Sequence, residues 1–125
     1  MIAQMRRERM NIMKIWVDDV RPAPDGYVWC KSVDETKGCI EFAEEQYAKR
    51  NEVCYDCKQF VIEIIDLDHD AGDFALWGGD YINLLNWLEE TGRSYPIHIH
   101  SMNPVGVENM RRIIRRNEWR EIKCV

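Results

Sequence analysis

Phe60-Val61-Ile62-Glu63-Ile64-Ile65, followed at once by Asp66-Leu67-Asp68-His69-Asp70, is the stretch that decides the fold. Six residues dominated by β-branched and aromatic side chains read as a buried strand. The burst of acids that ends it marks where the chain leaves the core. Upstream, Ile15-Trp16-Val17 repeats the arrangement in miniature and runs into Asp18-Asp19. Arg21-Pro22-Ala23-Pro24-Asp25-Gly26 is then a loop, because two prolines and a glycine exclude helix. Tyr27 to Lys31 reads as a short strand. Ser32 with Glu35 three residues on forms a capping box, predicting a helix to about Arg50. Residues 51–58 are a polar connection.

Downstream, Gly72 to Gly79 reads as a loop, and Asp80 through Glu90 carries the wide apolar stripe of a core-facing helix stopped by Thr91-Gly92. Pro96 precedes the strand Ile97-His98-Ile99-His100. Asn103-Pro104 opens a helix that ends near Asn117, and residues 120–124 make a last short strand. The order β-β-α-β-α-β-α-β predicts an α/β fold with a mostly parallel five-stranded sheet. Between Asp18 and Tyr27 the chain is too short for a helical crossover, so the direction of the second strand stays open. Trp16 and Lys14 share one strand face, and Glu63 lies among aliphatics. That face is therefore expected to be incompletely covered and a candidate for homodimerisation.

The chain has 125 residues, 46% hydrophobic and 31% charged, which suits one globular domain and excludes disorder and coiled coil. Residues 1–12 read as an N-terminal extension and 13–125 as the domain. Seventeen Lys+Arg against 22 Asp+Glu give a net charge of -5, which disfavours generic duplex-DNA binding through bulk charge. No apolar run is long enough to span a membrane and the start lacks a signal-peptide core, so the expectation is a cytoplasmic protein without membrane partners. Five cysteines without an export signal are expected to be free thiols. The Cys54–Cys57 spacing has no second pair to make a zinc site.

Three polar clusters each follow an apolar strand: Asp18-Asp19 with Arg21, then Asp66 to Asp70, then His100-Ser101-Met102-Asn103. In open α/β sheets ligands bind at the carboxyl ends of the strands, where loops and helix starts converge. Gathered there, the acids would repel unless a cation intervened, and Mg²⁺ matches an all-oxygen supply. Asp18, Asp19 and Asp68 are the candidate metal ligands. His69 and His100 can move protons near neutral pH, and Ser101 can hydrogen-bond a phosphoryl oxygen. Arg21, the start of the helix at Asn103, and Gly106, where a ligand could approach closely, are candidate phosphate contacts. Asp66 and Asp70 read as residues that either join the site or shape the loop. His98, a step deeper than His100, reads as a structural histidine. Arg111, Arg112, Arg115 and Arg116 read as a solvated face. Trp77, beside Gly78-Gly79, is a loop tryptophan able to face a base.

Together, Asp18-Asp19 with Arg21-Pro22, Asp68-His69-Asp70 with Gly72, and His100-Ser101 with Asn103-Pro104, Gly106 and Met110 resemble the cyclic-phosphate processing receiver domains, over about residues 13–122. The resemblance implies a receiver-like, flavodoxin-like fold lacking the first and last receiver helices. It implies an acidic pair at Asp18-Asp19, an acceptor position at Asp68 and a hydroxyl at Ser101. It further implies a phosphoesterase acting on cyclic phosphates, such as 2',3'-cyclic ends of RNA or nucleotides. In that reading Asp68, His69, His100 and Ser101 are catalytic, Mg²⁺ is the cofactor, and the partner is a phosphorylated small molecule or RNA end. A non-catalytic binding module and a degenerate phospho-acceptor receiver are the alternatives.

Overall fold

The computed structural model describes residues 10–49 and 59–123. Four strands, β1 (Met10–Val17), β2 (Tyr27–Cys30), β3 (Gln59–Leu67) and β4 (Ile97–Ile99), form one sheet in the order β2-β1-β3-β4, every neighbouring pair parallel. Three helices accompany them: α1 (Val33–Ala48), α2 (Ile82–Glu90) and α3 (Pro104–Arg116). The expected fifth strand is reduced, among the described residues, to a bridge between Glu121 and Ile97. Two backbone hydrogen bonds hold it, Ile97 N to Arg120 O and Ile122 N to Ile97 O. Strand β1 reaches back to Met10, so residues 10–12 pair with β3 although the sequence reads them with the extension.

The second strand is parallel to the first although no helix joins them. The link over residues 18–26 is tied down by hydrogen bonds instead. Asp18 Oδ1 accepts from the backbone N–H groups of Val20 and Arg21, at 2.9 and 2.8 Å. Two indoles reach across: Trp16 Nε1 donates to Arg21 O at 2.9 Å and Trp29 Nε1 to Asp18 O at 2.7 Å. Carbonyls that a crossover helix would satisfy internally are here satisfied by tryptophan side chains.

Helix α1 starts as its sequence dictates. Ser32 Oγ accepts from Glu35 N at 3.0 Å, and Glu35 Oε1 accepts from Lys31 N at 3.1 Å. Asn103 caps α3, its Oδ1 accepting from Gly106 N at 3.1 Å, with Pro104 at the first helical position where it lacks no needed donor. Each of the three helices contributes apolar residues to one core with Met13, Ile15, Val17, Ile65, Leu67 and Ile97 of the sheet.

The opposite sheet face carries Lys14, Trp16, Ile64, Asp66 and His98, set side by side by the strand register. Between Met13 and Lys14 that register slips, so Met13 faces Ile62 and Lys14 faces Ile64. Glu63 is the extra residue of this bulge and points to solvent. The face takes its polar character from Lys14, Asp66 and His98, and the Glu63 charge still acts on Tyr27, the register partner of Lys14. Cys30 and Cys39 are free thiols, while Cys54, Cys57 and Cys124 lie outside the described residues. No helix among the described residues is long and apolar enough to cross a membrane.

Candidate functional site

The parallel ladder brings three strand ends to one edge. Asp68 N donates to Val17 O at 2.9 Å, and His100 N donates to Leu67 O at 3.0 Å. Residues Asp18, Asp68 and His100 leave their strands side by side, with one potential ligand atom of each within 4.8 Å of the others. Their separations in sequence vanish because β1 pairs with β3 and β3 with β4.

His100 is the centre of this cluster. Its Nε2 lies 2.8 Å from Asp18 Oδ2 and its Nδ1 2.6 Å from Asp66 Oδ1. An ionised carboxylate oxygen only accepts, so with both acids ionised the two contacts call for hydrogen on both ring nitrogens, the imidazolium form. Burial opposes that charge, but the hydrogen bonds and charges of Asp66 and Asp18 outweigh it and raise the His100 pKa above 6.5. The ring also stacks on Trp16, with centroids 3.9 Å apart and planes 2° from parallel, which gives the cation an aromatic face. Asp18 is its counterpart. Burial pushes the carboxyl up, and the N–H groups of Arg21 and Val20 together with His100 outweigh this and hold it below 3.8. Asp66 Oδ1 accepts a second imidazole as well, His98 Nδ1 at 2.8 Å.

Asp66 is the residue that reading the sequence placed least well. Asp66 shapes no loop; it is 3% exposed within β3 and anchors two histidines. The signal was available in the alternation: Asp66 and Asp68 on one strand, His98 and His100 on another, share a face once β3 and β4 are paired. His98 is satisfied, as expected, and belongs to the same network. Asp70 does shape the loop, its Oδ1 accepting from Gly72 N at 2.9 Å.

The remaining candidates are distributed along the rim. Asp68 Oδ1 accepts from His69 N at 2.7 Å, and among the described residues no donor reaches its Oδ2. Asp19 is turned toward Gly72, where any side chain would collide with its carboxylate. Burial and then the charges of Asp18, Asp68 and Asp70 raise the Asp19 pKa above 3.8, against its own backbone N–H. Tyr81, whose hydroxyl donates to Lys31 O at 2.7 Å, is likewise pushed up by burial and by these four acids. His69 lies against α3, with Asn103 Nδ2 3.4 Å from its Nδ1.

Gly106 is not a ligand entry point. The space its side chain would fill is taken by the His69 ring, so the approach expected of a ligand is made by a residue of the protein. The anion site expected at the start of α3 is correspondingly reduced, since Asn103 uses the Gly106 N–H and Pro104 has none. Ser101 Oγ accepts from Asn103 N at 3.1 Å. Among the described residues no hydrogen bond or ion pair joins Ser101 or the exposed Arg21 side chain to the acids. The arginines of α3 are a solvated face in which Arg111, Arg115 and Arg116 pair with Glu121, Glu108 and Glu89.

A parallel sheet ordered 2-1-3-4 with acids and a histidine gathered at its carboxyl edge defines a receiver-type domain. The chain belongs to the cyclic-phosphate processing receiver domain family, whose sequence profile matches residues 13–116. Among solved structures, the fold is similar to that of the Legionella pneumophila response regulator LqsR, at 17% identity and a TM-score of 0.50, over 89% of this chain and 37% of that one. The chain thus spans little more than a third of that regulator, and the likeness concerns the fold. No curated protein matches the sequence.

Proposed function

We propose that this receiver domain is a phosphoesterase that opens cyclic phosphates at the rim formed by Asp18, Asp19, Asp68 and His69. The observation that carries the reading is the convergence of the Asp18 and Asp68 carboxylates beside the His100 ring, with one polar atom of each within 4.8 Å of the others, in a chain of the cyclic-phosphate processing family. The donor set suits a hard cation. Asp68 keeps an open oxygen, Asp19 is strained by neighbouring charges of its own sign, and Asp18 remains ionised. Asp18, Asp19 and Asp68 would hold Mg²⁺, which when bound supplies neutralisation of the phosphoryl oxygens.

In the reaction, water oxygen forms a bond to phosphorus while one ester P–O bond breaks. The water proton goes to a base, which returns it through solvent to the departing alkoxide and so ends the cycle unchanged. His69, half-buried at the rim with its ring fixed against Gly106, takes the water proton. His100 has both nitrogens engaged, so donating a proton would require breaking its bond to Asp18 or Asp66. Its part is to hold Asp18 in place and balance the acids. Arg21, exposed and without a carboxylate partner among the described residues, and Ser101 would meet the phosphoryl oxygens.

The test is hydrolysis of adenosine 2',3'-cyclic phosphate followed by phosphorus NMR. Turnover should fall about 100-fold or more in Asp68→Asn and His69→Gln. Absence of turnover in the unaltered protein would overturn the reading. Binding without turnover would turn the assignment to a binding module, and a labile adduct on Asp68 from a small phosphodonor would turn it to a phospho-acceptor.

A further inference from the structure

The carboxyl rim carries much exposed apolar surface: Val20 after β1, Leu76 and Trp77 after β3, Met102 and Val105 after β4. The turn from Gly72 to Trp77 is the most firmly built part of it. It begins at the acids, because Gly72 lies directly against the Asp19 carboxylate. It ends locked by backbone hydrogen bonds, Trp77 N to Phe74 O at 3.0 Å and Asp34 N to Trp77 O at 3.1 Å. Gly78, with φ 107°, lets the chain pass against Val33 and Asp34 where a side chain would not fit. A rigid turn that leaves a tryptophan 52% exposed is presenting that ring rather than failing to bury it.

Phe74 neighbours the presented ring, and Lys31 neighbours Phe74. Phe74 stands 5.7 Å from Trp77, tilted by 44°. Lys31, at the end of β2, holds its Nζ 4.5 Å from the Trp29 ring centroid and 5.8 Å from that of Phe74. No carboxylate pairs with Lys31 among the described residues. A 3₁₀ segment rises about 2.0 Å per residue, so Trp77 lies about 10 Å along the turn from Gly72 and the acids.

We infer that Phe74, Trp77 and Lys31 form a nucleobase platform, and that the ester opened at the acids is carried by a mononucleoside. This rests on the phosphoesterase reading above. An indole stacks on any base, and a lysine on the far side of Phe74 offers donors to ring acceptors. A net charge of -5 and the acids of the same rim give a long polyanion little to hold, which favours a single nucleotide over an RNA strand.

Calorimetry on the full chain with adenosine 3'-monophosphate and with ribose 3-phosphate tests the platform apart from turnover. The nucleotide should bind more tightly than the ribose phosphate. Trp77→Ala should weaken nucleotide binding about 5- to 150-fold and leave ribose phosphate unaffected, whereas Trp77→Phe should keep most of the affinity. Equal affinity for the two probes, no nucleotide binding, or insensitivity to Trp77→Ala would overturn the inference. Hydrolysis separates the two claims. If neither adenosine 2',3'-cyclic phosphate nor the base-free methylribose 2,3-cyclic phosphate is opened but nucleotide binding depends on Trp77, the platform stands and the hydrolytic reading falls. If both are opened equally well with and without Trp77, the reverse holds.

Discussion

Gly106→Ala puts one methyl group where the His69 ring lies. The new Cβ would be 2.6 Å from Nε2 and closer still to Cγ and Cδ2, all well inside van der Waals contact. Helix backbone of α3 fixes the methyl, so the ring must give way by about 1 Å. Overpacking of this kind costs about 1–3 kcal/mol, while replacing a helical glycine by alanine returns about 0.5–1 kcal/mol. The net expectation is a loss of about 0–2.5 kcal/mol in urea unfolding. A 1 Å misplacement of a reacting group can cost about 100-fold in rate, so cyclic-phosphate turnover should fall by that order while the fold persists. Carbon-proton NMR of the His69 ring reads the displacement directly and needs no substrate. In a His69→Ala background the clash is gone, and Gly106→Ala should then stabilise by about 0.5–1 kcal/mol, reversing sign. An unmoved His69 resonance, or the same stability change in both backgrounds, would refute the reasoning.

Asp66→Asn would leave the His100 cation with half its support in a buried place; a loss of about 3 kcal/mol in urea unfolding is expected, and a loss under about 1 kcal/mol would show that the ring is not held as a cation. Glu44 is held below 4.5: burial alone would raise it, but hydrogen bonds from Arg93 and Tyr95 outweigh that. A lowered carboxyl contributes stability that is present above its unfolded value and lost as pH falls through the folded one. The stability gap between the unaltered protein and Glu44→Gln should therefore close as pH drops below 4.5, and a gap constant from pH 7 to 3 would contradict it. Glu118 occupies the left-handed position after α3, at φ 56°, where glycine is favoured. Glu118→Gly should raise the melting temperature by about 2–4 °C, measured by circular dichroism, with no rise counting against backbone strain there.

Strands and helix starts were legible because they depend on neighbours in sequence. The aliphatic run before Asp66, the Ser32 and Glu35 pair, and Asn103-Pro104 each carry their own local cause. The acids and His100 at strand ends were legible through topology, since parallel strands bring their carboxyl ends together. What escaped depended on register. Whether Asp66 caps a loop or anchors two imidazoles is decided by β3 meeting β4 at Asp66 and His98, and no local pattern states that pairing. Glu63 falls at a bulge that only the partner strand reveals. Gly106 looked like room for a ligand because sequence shows the missing side chain and not the His69 ring that fills its place.

The sheet is long in its middle and short at its margins, with eight residues in β1 and nine in β3 against four in β2 and three in β4. A foreign strand needs a row of free amides and carbonyls to zip onto, and the outer strands offer very few. Part of the β4 margin is further occupied by the bridge to Glu121. Among the described residues β2 covers β1 only over Lys14–Val17 and β4 covers β3 only over Ile65–Leu67, so the outer strands shield the carboxyl half of the sheet, where the acids gather, and leave the amino-terminal halves of the two middle strands with open edges.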